Sequence, residues 1–264
     1  MNSYLEFAKQ LAKDAGEIML KYFNSEASSR YKADNTIVTQ ADEEINQLVI
    51  DRVRGKYSRH GVYGEEDSFN KELDELWVCD PLDGTASFAR GVPTAVFSIA
   101  YVVNGKPKLG VVYDPFTDCL YWATEGNGAF CNDKKLAVNK YGLRDKESAI
   151  GYDYSPTMPF DTLSVAYRLA KDCRVGGTGS FVHNGLLVAN GGYSAAIMSG
   201  NRPYDIAAIK IIIEEAGGKV TDLAGNDQPY NREIYGAIVS NGKVHDDIVA
   251  AFKETVMSAG QYHI

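Results

Sequence analysis

The stretch LWVCDPLDGT, residues 76–85, places two carboxylates directly after an apolar run. The run Leu76–Cys79 is short and continuously apolar, which predicts a buried strand. Asp80 and Asp83 follow it three residues apart, and we predict a turn on which both carboxylates converge on one point. The carbonyl of Leu82 lies between them and can be directed there too. Hard oxygen ligands of this kind suit Mg²⁺ or Mn²⁺.

The remaining residues of this stretch have backbone properties that suit the same site. Pro81 holds its own φ, and Gly84 permits a tight turn. Gly84 and Thr85 then open the next segment with backbone N–H groups, which can bind a phosphate. The motif therefore predicts a metal ligand set beside an anion cradle.

Acidic residues also gather at three other predicted turns or element ends. These are Asp42, the run GEED at 64–67 and Asp205 in the sequence RPYD at 202–205. Each alone is typical of an ordinary turn or a solvated acidic edge. Carboxylates that meet without a cation repel one another, so a bound metal explains all four segments if they converge.

Outward from this motif, the first half of the chain is predicted to contain two helices that cover an antiparallel sheet. The helix over residues 3–23 has apolar residues at helical spacing, and Ser3 and Glu6 have the spacing of a capping box. The polar segment 28–42 is predicted to be a loop or irregular hairpin. A second helix is predicted over 39–57, and strands over 61–66, 76–80, 94–105, 108–114 and 119–126.

After about residue 144 strands and helices alternate, which indicates a layered α/β arrangement. We therefore predict two domains, 1–144 and 145–264. Strands are predicted over 148–154, 173–177, 193–198, 219–223 and 235–241, and helices over 161–171, 180–190, 203–218 and 244–256.

The charge and the apolar stretches of the chain limit the kinds of partner that we expect. The chain has 264 residues and a formal net charge of −8, with 27 Lys and Arg against 35 Asp and Glu. A nucleic-acid binder normally presents a basic face, and no Lys/Arg block occurs, so we expect no nucleic-acid partner. The N-terminus lacks a signal pattern, and the apolar stretches fall short of the roughly 20 residues of a membrane span. We expect a cytoplasmic protein without a membrane partner.

The cysteines and histidines form no recognisable metal or catalytic motif. The four cysteines make no CxxC pair, and we expect buried or half-buried thiols. His183 falls on a predicted helix beside apolar residues, which favours a packed histidine over a base.

Taken together, the acidic motifs resemble those of the inositol monophosphatase family, a branch of the lithium-sensitive, magnesium-dependent phosphatases. The matching motifs are V-T-x-x-D at 38–42, G-E-E at 64–66, D-P-L-D-G-T at 80–85, and D-x-A-A leading into E-A-G-G at 205–218. The resemblance covers nearly the whole chain. It implies an α/β protein, α+β in its first half, with a layered αβαβα sugar-phosphatase-like fold, and it implies a homodimer that is inhibited by Li⁺.

The resemblance also implies roles for individual residues. Two to three Mg²⁺ ions per site, with Mn²⁺ as an alternative, would be held by Glu65, Asp80, the Leu82 carbonyl, Asp83 and Asp205. The catalytic residues would be Asp42, Thr85 and Glu65, with Asp42 and Thr85 orienting the attacking water. The residues expected to bind phosphate or the rest of the substrate are Asp83, Gly84, Thr85, Gly179, Ser180, Phe181, Met198 and Arg202.

Some positions depart from the family pattern. Phe181 stands where the inositol branch has a small residue, and Met198 where it has a glutamate that binds inositol hydroxyls. Arg202 is a cation close to the site that can contact a second phosphate or form a salt bridge. Lys32 resembles the lysine of the family's mobile metal loop.

The sequence therefore predicts a Mg²⁺-dependent phosphomonoesterase that hydrolyses a small phosphorylated polyol, sugar or nucleotide with a metal-activated water. Fructose 1,6-bisphosphatase or NADP phosphatase activity is an alternative within the family. A haloacid-dehalogenase-type phosphatase is a rival enzyme class, but its D-x-D motif has one residue between the aspartates, and here two separate them. A non-catalytic, metal-binding regulatory relative is the alternative of another class.

Overall fold

The computed structural model describes residues 1–23, 29–32, 37–152, 154 and 160–259. The α-helices in this part of the chain are α1 (Asn2–Tyr22), α2 (Gln40–Lys56), α3 (Thr85–Phe88), α4 (Thr162–Leu169), α5 (Phe181–Ala189), α6 (Ala207–Glu215) and α7 (His245–Ala259). The strands are β1 (Arg30–Tyr31), β2 (Ile37–Val38), β3 (Gly61–Gly64), β4 (Ser68–Phe69), β5 (Glu75–Asp83), β6 (Val96–Val103), β7 (Lys106–Asp114), β8 (Cys119–Thr124), β9 (Ala129–Cys131), β10 (Lys134–Lys135), β11 (Ala149–Tyr152), β12 (Arg174–Gly176), β13 (Ala195–Met198), β14 (Lys219–Thr221) and β15 (Ala237–Ser240).

The strands form two large sheets and one small hairpin. The larger sheet has the order β10-β9-β8-β7-β6-β5-β3-β4, and all its pairs are antiparallel except β3 with β5. The second sheet has the order β12-β11-β13-β15-β14, with β11 parallel to both of its neighbours. The hairpin pairs β1 with β2, as predicted for the polar segment, although residues 28 and 33–36 of that segment lie outside the described residues.

Strand β5 is buried on both faces, which explains its continuous apolar sequence. Leu76 and Val78 belong to an apolar cluster with α5 and α6, which lie between the two sheets. Trp77 and Cys79 alternate with them and belong to a second cluster with α1 and α2 on the opposite face. Because successive side chains of a strand point to opposite faces, β5 contributes alternate residues to two apolar clusters.

The second sheet is covered in the same way on its far side. Ile150, Ile197 and Ile238 pack with Val165 of α4 and Phe252 of α7. The order of layers is therefore helix, sheet, helix, sheet, helix, and the predicted αβαβα arrangement is confirmed.

Close contact between α6 and the larger sheet depends on a glycine. A Cβ atom added to Gly110 of β7 would lie 2.6 Å from the carbonyl oxygen of Ala208. Glycine at this position lets the start of α6 approach the strand. Asp205 lies in the 3₁₀ turn shortly before α6, and this turn contacts β5. The close approach of α6 to the sheet helps to place Asp205 there.

Three local predictions were wrong. The helix expected over 203–218 begins as a 3₁₀ turn, Pro203–Asp205, before α6. Met1 is the N-cap of α1 and no side chain caps it, so the capping box at the start of this helix is absent. Asp80 lies inside β5, with a register irregularity before Asp83, and the chain turns only at Gly84, where φ is +93°.

Other predictions concern whole-chain properties. The cysteines are free, with Cys79 buried and the other three partly exposed, as expected. In the described ranges no helix is both long and apolar enough to cross a membrane. The proposed division at residue 144 stays a prediction.

Candidate active site

Asp80 is a buried member of an acidic group at the end of β5. It is 2% exposed, and its Oδ1 accepts a hydrogen bond from the Leu82 amide at 2.9 Å. Burial raises the pKa of Asp80 well above its ordinary value, and the charges of Glu65, Asp83 and Asp205 raise it further. The charge of Glu65 also raises the pKa of Asp42, so the structure brings all four predicted acidic segments into electrostatic contact.

Glu65 follows β3 and is bound by two cations of the same chain. Its Oε1 lies 3.1 Å from Nη1 of Arg202 and 3.4 Å from Nζ of Lys32. Lys32 also contacts Oε1 of Glu66 at 2.5 Å. Burial alone would lower the pKa of Lys32, but the charges of Glu65 and Glu66 outweigh it and raise the pKa. Arg202 therefore forms a salt bridge with Glu65 in this structure.

Asp83 is held at the N-terminus of α5. Its Oδ2 accepts hydrogen bonds from the Val182 amide at 2.8 Å and from Ser180 Oγ. The same Ser180 hydroxyl accepts from the His183 amide and so caps the helix. A carboxylate at this position is favoured by the helix dipole. Ser180 thereby connects the end of β5 to the layer of helices between the sheets.

Asp42 combines a structural role with the position of a base. As residue N3 of α2 it closes a capping box, and its Oδ2 accepts from the amide and the hydroxyl of Thr39 at 2.8 and 2.5 Å. Its Oδ1 accepts from Thr85 Oγ1 at 3.0 Å. Burial outweighs these hydrogen bonds and raises the pKa of Asp42 to about 7. A carboxyl group with such a pKa can accept a proton near neutral pH.

Sequence reasoning missed the capping role of Asp42, although the spacing of Thr39 and Asp42 contains the signal. It also missed that Ser180 donates to Asp83. That contact joins residues far apart in the chain, and no local pattern predicts it.

Two of the residues expected at the substrate site have buried side chains, and their part in substrate binding stays a prediction. Phe181 is 1% exposed and Met198 is fully buried, and both pack in the cluster between the sheets. In this structure both side chains therefore belong to the hydrophobic core. Gly179 has a φ of +79°, and its carbonyl lies 3.5 Å from the hydroxyl of Ser87, just after the motif.

A cavity of about 460 Å³ opens beside Glu65. Arg202, Lys71 and the rings of Tyr63 and Tyr204 line it. Burial raises the pKa of Tyr204, and the charges of Glu65 and Asp205 raise it further. The cavity therefore lies on one flank of the acidic group and places two cations near it.

The acidic group fits a magnesium site by its donor chemistry. Its side chains offer hard carboxylate oxygens, and their mutual repulsion at Asp80 would be relieved by a cation. Across the described residues, however, no three acidic, histidine or cysteine side chains form a ready-made ligand cluster. The residues that would hold Mg²⁺ are Glu65, Asp80, Asp83 and Asp205, with the Leu82 carbonyl.

Comparison with known proteins supports the family resemblance that the sequence motifs indicated. The inositol monophosphatase family matches residues 1–257. The fructose-1,6-bisphosphatase/inositol-1-monophosphatase of Thermotoga maritima is 33% identical, with 97% of this chain and 98% of that protein covered.

Solved structures extend the comparison to the fold. The Thermotoga maritima IMPase structure superposes with a TM-score of 0.86 at 32% identity, covering 97% of this chain and 99% of that one. An IMPase/NADP phosphatase complexed with Mg²⁺ and phosphate has a TM-score of 0.80 at 26% identity, covering 95% and 93%.

Proposed function

The chain belongs to the inositol monophosphatase family, and on this premise we propose that it is a Mg²⁺-dependent phosphomonoesterase that acts on small phosphorylated metabolites. The family and its homologues are phosphatases. The observation that carries the proposal is the buried Asp80, whose carboxylate lies among the charges of three other acids. A bound cation would relieve the repulsion among these acids, and hard oxygen donors suit Mg²⁺.

The residues divide into three roles. The carboxylates of Glu65, Asp80, Asp83 and Asp205 hold the metal. A bound Mg²⁺ would acidify the attacking water and neutralise the leaving alkoxide. Asp42 and Thr85 orient that water, Asp42 accepts its proton, and the Gly84 and Thr85 amides bind the phosphate.

The chemistry follows from in-line displacement at phosphorus. Water attacks opposite the leaving oxygen, and no phosphoenzyme forms. This step distinguishes the proposal from the haloacid-dehalogenase alternative, which uses an aspartyl phosphate. The match to the inositol monophosphatase family supports the proposal over that alternative. Asp42 is suited to the step because its pKa of about 7 lets it take a proton near neutral pH.

For the substrate, we propose that molecules with a second anionic group are hydrolysed at least as well as inositol 1-phosphate. Met198 lies in the core and offers no carboxylate to sugar hydroxyls. Arg202 lines the cavity beside Glu65 and has a fork that matches a phosphate. The relatives named above are a fructose-1,6-bisphosphatase/inositol-1-monophosphatase and an IMPase/NADP phosphatase, which supports this choice.

Release of inorganic phosphate tests the function. The panel should contain inositol 1-phosphate, fructose 1,6-bisphosphate and NADP, each assayed after chelation and after addition of Mg²⁺ or Mn²⁺. We expect no turnover in EDTA and recovery with metal, and full activity in excess EDTA would refute the proposal. Replacing Arg202 by Ala should raise KM more for the doubly charged substrates than for inositol 1-phosphate. An equal effect on all three would restore inositol 1-phosphate as the preferred substrate.

Further properties are proposed from the family resemblance and the composition. We propose inhibition by Li⁺ at the site of Asp80, Asp83 and Asp205, a homodimer, and a cytoplasmic location without nucleic-acid partners. The net charge of −8 supports the last point. A rate that stays constant through a Li⁺ titration would remove the first.

A further inference from the structure

One oxygen of Glu65 is contacted by two cations. Nη1 of Arg202 lies 3.1 Å from Oε1, and Nζ of Lys32 lies 3.4 Å from the same atom. Lys32 has a second acidic partner at 2.5 Å, in Glu66. Arg202 precedes the 3₁₀ turn that carries Asp205, so it connects two of the acidic segments.

The environment makes the pair of Glu65 and Arg202 stronger than an ordinary surface pair. The Glu65 side chain is 11% exposed and that of Arg202 is 27% exposed. Partial burial lowers the screening by water, and the attraction between unit charges rises accordingly. A divalent ion bound to Glu65 would meet the guanidinium charge at short range.

We propose that Arg202 is an internal counter-ion that competes with the divalent metal for Glu65 and so sets the metal affinity of the site. The inference rests on the proposed function, which assigns Glu65 to the metal. In the metal-free protein, the guanidinium supplies part of the positive charge that the acidic group needs. Metal binding displaces it from Glu65, and it then remains at the cavity that both residues line, where an anionic group of the substrate binds.

Titration calorimetry of the metal-free full-length protein with Mn²⁺ and with Mg²⁺ tests the competition. Arg202→Gln removes the charge, and Arg202→Lys keeps it. Arg144→Gln is the matched control, because Arg144 pairs with Asp172 on an exposed surface and its loss changes the net charge equally. Electron paramagnetic resonance of free Mn²⁺ gives a second measure of binding, and thermal unfolding checks that each variant is folded.

Arg202→Gln should lower the Kd of the tightest site by about fivefold or more, because an opposing unit charge a few ångströms away is lost. Arg202→Lys and Arg144→Gln should bind as the wild type does. An unchanged or weaker affinity in Arg202→Gln would overturn the inference, and so would an equal gain in Arg144→Gln. If the wild type binds neither Mn²⁺ nor Mg²⁺, the proposed function itself fails. If the wild type binds metal and Arg202→Gln binds it with the same affinity, only the inference about Arg202 fails. Should Arg202→Gln not fold, a gain of affinity in Arg202→Lys would overturn the inference instead.

Discussion

Asp80 occupies a position in which a carboxylate is costly for the folded state. It is buried inside β5, and neighbouring acids raise its pKa further. In a stable domain such a residue is tolerated when function requires it. Asparagine has the same shape without the charge. An asparagine at position 80 should therefore raise the stability of the metal-free protein and lower its activity.

Replacing Asp80 by Asn should stabilise the metal-free protein and abolish turnover. The Leu82 amide keeps its acceptor, while repulsion with the other acids disappears. A gain of about 1 kcal/mol corresponds to about 2–4 °C in Tm for a chain of this size. Loss of a ligand charge should lower kcat about a thousandfold or more. Calorimetry in EDTA and phosphate release in Mg²⁺ measure the two effects, and a lower Tm would contradict the first.

Thr85 is proposed to act together with Asp42, and a pair of variants isolates its hydroxyl. Thr85→Val removes the hydrogen bond of 3.0 Å to Asp42 and should lower kcat by about 10²-fold or more. Thr85→Ser keeps the hydroxyl and should retain most of the activity. Metal affinity, measured by titration, should change little in both. Equal kcat values for Val and Ser would show that the hydroxyl has no part in catalysis.

At the scale of elements, the site depends on how closely helices approach the sheets. Helix α6 contacts β7 at Gly110, and the N-terminus of α5 binds Asp83 through Ser180 and Val182. Both helices lie between the two sheets. A small change in the position of α5 would therefore disturb Asp83, and a small change in the position of α6 would disturb Asp205.

Gly110→Ala should destabilise the protein, because its Cβ would meet the Ala208 carbonyl at 2.6 Å. We expect a loss of about 1–3 kcal/mol, as for other overpacked cores. Gly55→Ala is the matched control in α2, since a Cβ there meets nothing within 4 Å. It should stabilise the protein by about 0.5–1 kcal/mol. Urea unfolding measures both, and a stable Gly110→Ala variant would show that α6 can move without cost.

A second prediction at this scale concerns the buried His245 at the start of α7. Its ring nitrogens contact Thr221 Oγ1 of β14 at 2.9 Å and Ser240 Oγ of β15 at 2.8 Å. Burial, helped by the charge of Lys219, lowers its pKa from 6.5 to about 4. The unfolded chain therefore binds this proton more readily, and stability falls as the pH drops from about 6.5 toward 4.

The contribution of His245 to the free energy of unfolding should be about 2 kcal/mol smaller at about pH 5 than at about pH 7.5. Other groups titrate in the same range, so the comparison is between the wild type and His245→Gln at both pH values. The variant should be less stable near neutral pH, and its disadvantage should shrink on acidification. A constant difference would show that His245 does not titrate on unfolding.

At the scale of the molecule, the acidic group joins distant parts of the chain. Asp42 comes from α2 on the outer face of the larger sheet, and Asp80 from β5 within it. Asp205 belongs to the segment that leads into α6 between the sheets. A cation bound by Asp80 and Asp205 would therefore link the larger sheet to the layer of helices between the sheets.

Mg²⁺ should raise the Tm of the whole protein. A ligand that binds only the native state at about 100 times its Kd stabilises it by about 2.7 kcal/mol. The control is a monovalent chloride salt at the same ionic strength, which should have a small effect. Asp80→Asn should lose the response to Mg²⁺. An identical Tm in EDTA and in Mg²⁺ would contradict metal binding at this site.

The sequence alone identified the acidic residues, and its resemblance to a known family implied the full αβαβα architecture. The spacing and run length of apolar residues predicted helices α1 and α2, the long strands of the larger sheet and the alternation of strands and helices in the second half. These patterns are informative because an element buried on one or two faces has apolar residues at a regular spacing. The capping-box spacing of Thr39 and Asp42 was also present. The motif at 80–85 identified its two aspartates, although its backbone continues β5 where a turn was predicted.

Only the tertiary structure decided how these residues are paired. Arg202 and Glu65 are 137 positions apart, and Ser180 and Asp83 are 97 apart. The burial of Phe181 and Met198 depends on the packing of α5 and β13 between the sheets. The raised pKa of Asp42 is likewise set by burial, which outweighs its local hydrogen bonds. Hydrogen bonds and desolvation depend on which surfaces meet in space, and a one-dimensional pattern records only which face of each element is apolar.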